Sequence, residues 1–287
     1  MPVQYLNDLP SRNSAPIPWV DVKDNLPWGD PDFSRRMLRE HLDPRHDSAS
    51  RRPAVFSAQL AWVVNTWFQP RKVKNVLDLT CGPGFWSNAL ARMGYTVRGI
   101  DISPAAIDHA RSVAKTEGLS ATFIQADVRE AAFGSGYDAA LFIYGEANAL
   151  KWEEFALVLL RVKEALNPEG VLIMELSPPE AMARRAGSMW ETYPSGGLFS
   201  DRPYLSLKET FWKPDDQTAC ARYFVVDVET SRVREYGVSY QAYRRHDLDA
   251  LMPACGLRLI AEFDSLVGEI GLTNPDWHVI VAERPPD

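Results

Sequence analysis

Residues 73 to 86, Val-Lys-Asn-Val-Leu-Asp-Leu-Thr-Cys-Gly-Pro-Gly-Phe-Trp, leave this chain few ways to fold. Val73, Val76, Leu77 and Leu79 form a short apolar run of the length and β-branched content of a buried parallel strand. The run ends in Asp78-Leu79-Thr80-Cys81-Gly82-Pro83-Gly84, after which the periodicity turns helical. A strand, a glycine-rich turn and a helix, with a carboxylate just ahead of the glycines, is the start of an α/β unit that holds a ligand at its turn.

The segments that follow repeat the unit. Strands are expected at 95–101, 121–126, 137–143 and 171–175. Helices fall between them: one opens at Ser103-Pro104, an N-cap and Pro pair, and another runs over 149–166. Strands separated by such helices imply right-handed crossovers and a parallel sheet covered on both faces. Before the first strand come an irregular arm over residues 1–30, a helix opening at Asp30-Pro31 and a second helix over 53–68. After 177 the alternation stops. Residues 204–212, 219–228 and 233–243 read as three strands with short links, which pair antiparallel. A helix over 245–254 and strands at 257–263 and 278–283 close the main sheet. The expected organisation is 1–70 as arm and cap helices, 71–176 as core, 177–244 as an antiparallel insertion acting as substrate lid, and 245–287 as completion of the core.

Composition narrows the function. The 287 residues are 46% apolar and 24% charged, enough for a full core, and the net charge of −7 opposes tight binding to nucleic acid. No apolar run approaches the roughly 20 residues that span a bilayer, and the N-terminus lacks a basic-then-apolar leader. The expectation is a cytoplasmic protein that binds neither nucleic acid nor membrane; a homodimer is compatible with it. Three cysteines, without Cys-x-x-Cys spacing, suggest neither disulfides nor a metal site.

In an open α/β sheet, ligands bind beyond the carboxyl ends of the strands. Here those ends carry Asp78, Asp101, Asp127, Glu146 and Glu175. A dinucleotide is disfavoured, because Ser87 stands where the third glycine of Gly-x-Gly-x-x-Gly would be and Asp78 would face a pyrophosphate. A cationic nucleoside without phosphate would be welcome. Asp101 is placed to accept both ribose hydroxyls, and Asp127-Val128 to meet an adenine. S-adenosylmethionine fits this description.

Val76-Leu77-Asp78-Leu79-Thr80-Cys81-Gly82-Pro83-Gly84, then Gly99-Ile100-Asp101-Ile102-Ser103-Pro104, then Gln125-Ala126-Asp127-Val128-Arg129, resemble in order and spacing the motifs of class I S-adenosylmethionine-dependent methyltransferases. The likeness covers about residues 53–176. It implies a Rossmann-like sheet, mostly parallel, with seven strands and the last antiparallel; the N-terminal helical cap and the antiparallel β insertion are read from the chain itself. It also implies methyl transfer to an N, O or C nucleophile of a small molecule, and the aromatic content of the N-terminal helices and the insertion suggests an apolar or aromatic part in that molecule. Gly82 and Gly84 would let the backbone approach the methionine part and Asp101 would hold the ribose; Asp78, Thr80, Cys81, Ile102, Asp127, Val128, Tyr144 and Gly145 complete the expected cofactor contacts. The segment Gly197-Leu198-Phe199-Ser200-Asp201-Arg202-Pro203-Tyr204, with Trp212 and Gln241-Ala242-Tyr243, is similar to a bacterial subgroup acting on small molecules. The family's Asp/Asn-Pro-Pro-Tyr/Phe motif for nucleic-acid bases is absent; that place reads Tyr144-Gly145-Glu146-Ala147.

Glu146 is the first candidate for a general base and Glu175 the second; capping of the following helix is the structural alternative for Glu146. Trp28, Asn148, Trp190, Trp212, Arg222, Tyr240 and Tyr243 are the expected substrate contacts. Arg222 could equally pair with one of the many acids, and most strand aromatics would be core. Other uses of the same scaffold are a cyclase or lyase releasing methylthioadenosine and a non-catalytic cofactor-binding protein.

Overall fold

A computed structural model describes residues 4–22, 25–273 and 275–286. The chain divides into two compact units. One comprises residues 28–178 and 243–287; the other joins residues 1–27 to 179–242.

The larger unit begins with α1 (Pro31–Leu42) and α2 (Pro53–Val63), the latter prolonged by a π-turn over Val64–Phe68. Asp30 caps α1 by accepting from the amides of Asp32 and Phe33, as its place before Pro31 predicts. Then come β1 (Asn75–Leu79), α3 (Phe85–Arg92), β2 (Thr96–Asp101), α4 (Pro104–Glu117), β3 (Ala121–Gln125) and β4 (Tyr137–Phe142). After a 3-10 turn at Glu146–Ala149 follow α5 (Trp152–Ala165) and β5 (Leu166–Leu176). The helix expected from 149 thus starts three residues later, and the strand expected from Val171 starts at Leu166, pairing Leu166 with Tyr137 before a register shift.

In the smaller unit, α6 (Pro179–Arg184) precedes β6 (Gly187–Tyr193), β7 (Tyr204–Lys213), β8 (Thr218–Asp227) and β9 (Val233–Gln241). These four strands form one antiparallel sheet in chain order. Asp227 closes the last hairpin, its Oδ1 accepting from the amides of Glu229 and Thr230. β6 is a strand the sequence reading lacks. Six of its seven residues are exposed, so no apolar face imposes a period-2 pattern. Residues of the N-terminal arm hydrogen-bond to this sheet: Val233 N donates to Gln4 O, and Trp19 N to Ser239 Oγ.

The chain then returns to the larger unit through α7 (Arg245–Ala254), β10 (Arg258–Phe263) and β11 (His278–Glu283). The main sheet has the order β10-β11-β5-β4-β1-β2-β3, with β11 antiparallel to both neighbours and the other pairings parallel. One core packs Leu77, Leu79, Phe142 and Met174 against α5 and α7. A second packs Val76, Leu141 and Ile173 against α2, its π-turn and α3. Each large side chain so buried contributes about 1.5–3 kcal/mol. The sheet is covered on both faces, as the alternation predicts. Among the described residues no helix is long and apolar enough to cross a membrane.

Gly84 shows why the turn after β1 needs glycine. Its φ is +78°, and a Cβ there would lie 2.7 Å from the Ala110 Cβ of α4. Gly84→Ala should therefore destabilise the protein by about 2–4 kcal/mol, from the left-handed backbone and the overpacking together. Denaturant unfolding will measure it, and a loss below about 1 kcal/mol would mean that α4 yields.

Candidate active site

The carboxyl ends of β1, β2, β4 and β5 carry the groups that the sequence singles out, on two strained turns. After β1 the backbone is left-handed at Thr80 (φ +55°), Gly82 (+52°) and Gly84 (+78°). After β4 it is left-handed at Tyr144 (+67°) and Gly145 (+74°). A β-branched residue and an aromatic one adopt such angles only where the surroundings hold them. The second turn is held by β5: Tyr144 N donates to Glu175 Oε2 at 2.9 Å, and Gly145 N to the Glu175 carbonyl at 3.0 Å.

Asp101 ties the two ends of the first cradle. Its Oδ2 accepts from Gly82 N and its Oδ1 from Ser103 N, both at 2.8 Å. Burial raises its pKa against these hydrogen bonds. Asp78 is buried and accepts from Ser87 Oγ at 2.5 Å, so the residue in the third-glycine position serves the acid. Burial pushes Asp78 up to about 7, with the Asp101 charge adding to it and Ser87 opposing. Cys81 is a buried thiol held well above its usual pKa by burial and by these two acids, which disfavours the thiolate.

Glu146 lies in the 3-10 turn just beyond Gly145. It is open to solvent yet densely surrounded by protein, as a side chain in a crevice is; that desolvation, with Asp101 adding to it, raises its pKa to about 7. Among the described residues its carboxylate has no hydrogen-bond or ion-pair partner. Capping of α5 falls to Glu154, whose Oε2 accepts from Lys151 N at 2.9 Å, so the structural alternative for Glu146 has another occupant.

Other expected residues are placed differently. Glu175 is not a free base: it is buried, its Oε1 pairs with Arg51 Nη2 at 2.8 Å, and its Oε2 takes the Tyr144 amide. The Asp127 carboxylate is engaged by the amide and guanidinium of Arg129, which outweigh burial and hold its pKa down. Val128 packs in the first core, whereas Ile102 is exposed beside Asp101. Asn148 is buried and bonded both ways to the backbone of Ser177. Tyr243 is a core residue of the larger unit, its ring tilted against Phe155 and its hydroxyl directed to the carbonyls of Ala147 and Leu150. Trp28 rests edge-on against Phe33 at 5.6 Å.

The four remaining candidates belong to the smaller unit and do not share a face. Trp212 aligns with Ala219 and Tyr240, while Trp190 aligns with Leu207 and Arg222 with Glu209. Alternation puts Trp212 and Tyr240 on one side of the sheet and Trp190 and Arg222 on the other. Arg222 is buried in an ion pair with Glu209 at 2.6 Å, and Glu209 also pairs with Arg12. The pairing with an acid is thus the role its surroundings support.

Three elements of the site carried no sequence signal. Ser34 of α1 bonds Ser103 Oγ at 2.7 Å and accepts from Ala105 N at 2.8 Å, so α1 caps the start of α4. His41, at the end of α1, reaches over Gly82: its Cε1 would lie 3.8 Å from a Cβ there. Burial lowers its pKa to about 4, leaving a neutral imidazole bonded to Ser50 Oγ. Arg51 is the third.

A seven-stranded sheet of this order, with glycine loop and acids at one edge, is the fold of class I S-adenosylmethionine-dependent methyltransferases. Residues 76–170 match the family described as a methyltransferase domain. Over 107 residues it is 33% identical to the ubiquinone biosynthesis O-methyltransferase of Azorhizobium caulinodans, covering 37% of this chain and 41% of that protein. The cypemycin N-terminal methyltransferase of a Streptomyces species is 29% identical over 139 residues, covering 48% of this chain and 55% of the relative. The chain thus spans about half the length of these curated relatives. The structure of the CcbJ methyltransferase from Streptomyces caelestis aligns with a TM-score of 0.67 at 17% identity, covering 88% of this chain and 98% of that one.

The buried acid makes one prediction independent of any ligand. An aspartate that ionises near 3.8 when unfolded and near 7 when folded binds its proton more tightly in the native state. Its contribution to stability is therefore full below pH 4 and is lost as pH rises to about 7, to the extent of about 4 kcal/mol. Urea unfolding of wild type and Asp78→Asn should diverge over that range, the variant gaining relative stability at pH 8. Parallel curves would assign the titration elsewhere.

Proposed function

We propose that this protein transfers the methyl group of S-adenosylmethionine to a nucleophilic atom of a small molecule. The observation that carries the reading is a set of acids at one sheet edge, Asp78, Asp101 and Glu146, whose pKa values are all raised. Among the described residues no cation of the protein is paired with them. Such a site favours a cation of outside origin. Asp101 retains lone pairs for two ribose hydroxyls, Gly82 and Gly84 keep the first turn free of side chains, and Ile102 offers an apolar surface to a base. S-adenosylmethionine matches that donor set.

When bound, the cofactor supplies a methyl group already activated by its sulfonium. The protein must then orient the acceptor and exclude water. Glu146, with its pKa near 7, is poised to take a proton from an acceptor hydroxyl or ammonium at neutral pH. α1 closes one side, Ser34 reaching the start of α4 and His41 the glycine loop. The net charge and the missing Asp/Asn-Pro-Pro motif favour a small acceptor over nucleic acid.

The test is incubation with S-adenosylmethionine and a panel of amines, phenols and alcohols, followed by mass spectrometry of the nucleoside product. S-adenosylhomocysteine formed only with an acceptor supports methyl transfer. Methylthioadenosine, or no turnover on the panel with tight binding retained, would replace it.

A further inference from the structure

Arg51 lies between α1 and α2, and in the sequence it is half of an isolated basic pair. In the fold its guanidinium is enclosed. Nη2 donates to Glu175 Oε1 at 2.8 Å, and Cζ stands 4.4 Å from the centroid of the Tyr144 ring and 4.7 Å from that of Trp277. The two rings are 5.6 Å apart with 37° between their planes. A buried carboxylate backed by an indole and a phenol is the composition by which proteins bind ammonium and quaternary ammonium groups.

The walls of this cage come from the carboxyl end of the sheet and its occupant from a connector. Tyr144 and Glu175 stand at the ends of β4 and β5 and are joined by a hydrogen bond. Trp277 immediately precedes β11 and lies so close to Gly145 that a Cβ there would come within 2.6 Å of its ring. Arg51 comes from the connector between α1 and α2, which has neither helix nor strand. That connector touches the cage elsewhere through the Asp47 carbonyl, which accepts from the Tyr144 hydroxyl. A guanidinium is a delocalised cation that stacks well on aromatic faces, the same faces an organic ammonium would use.

We propose that Tyr144, Trp277 and Glu175 form a binding site for the cationic nitrogen of an amine substrate, and that Arg51 is its intramolecular stand-in, displaced when the amine enters. Tyr144 of this site stands two residues before Glu146, the group assigned to proton removal. The substrate class is then an amine carried on an organic body. Calling the ligand a substrate rests on the methyl-transfer reading; the binding site itself does not. Because Arg51 competes for the cage, the affinity of the intact protein for an ammonium ion is reduced by the fraction of time the cage is closed.

The probe is tetramethylammonium chloride, titrated without cofactor against sodium chloride at equal ionic strength and followed by NMR. Arg51→Gln is expected to bind it at least tenfold more tightly than wild type, and Trp277→Ala in that background should remove the gain. A folded Arg51→Gln protein that binds no better than wild type overturns the proposal. So does a gain that survives Trp277→Ala, since the cation would then sit among the crevice acids instead. Hydrogen exchange on the wild type keeps the test open if the variant fails to fold. Tetramethylammonium should accelerate exchange of amides 45–52 more than sodium does, and equal exchange refutes displacement. Cage binding without methyl transfer would leave the site and remove the reaction; the opposite result would do the reverse.

Discussion

Asp101→Ala should weaken S-adenosylmethionine binding tenfold to a hundredfold in a calorimetric titration. The side chain holds Gly82 N and Ser103 N and thereby joins the left-handed loop after β1 to the start of α4. In the proposed reading it also presents the acceptors for a ribose. A hydrogen bond to a charged group contributes about 1.5–3 kcal/mol, and losing one such bond to the ligand alone accounts for the expected range. Asp101→Asn keeps one acceptor oxygen and should fall between. An unchanged affinity for the alanine variant would remove the nucleoside from this edge of the sheet.

Glu146→Gln should depress turnover at least a hundredfold while leaving cofactor affinity within a few-fold. General-base catalysis is worth about 10²–10⁴ in rate, and Glu146, at the start of the 3-10 turn after Tyr144–Gly145, has no partner among the described residues. The pH profile gives a second readout. With a pKa raised to about 7, the base is protonated and inactive in acid, so turnover of the wild type should climb through neutrality and level off above it. The glutamine variant should lose that inflection. Normal turnover, or an inflection that persists, would return Glu146 to a structural role in the 3-10 turn.

The core of the fold was legible because burial writes a pattern. β1, its glycines and the acids at strand ends are local features, set by strand period and by the few residues that tolerate a left-handed turn. The same reasoning could not see β6, where exposure on both faces erases the alternation. Nor could it assign Trp190 and Trp212 to opposite sides of one sheet, because face depends on register, which is a property of the pairing. Glu175 shows the other limit. A strand-end acid reads alike whether it faces a substrate or Arg51, and that partner arrives from 124 residues away in sequence. Tyr243 looked like part of the insertion, yet belongs to the core beside Phe155.

The hydrogen bond from Ala105 N to Ser34 Oγ bears on how far this domain is modular. The first turn of α4, which opens beside the acid assigned to the ribose, is completed by a residue 42 positions before the matched segment begins at 76. Transplanting residues 76–170 alone into another protein would carry the motifs and leave that amide without its acceptor. A transferable unit has to begin upstream of α1, at Asp30, and any chimera built on this domain inherits the proposed nucleoside seat only together with that helix.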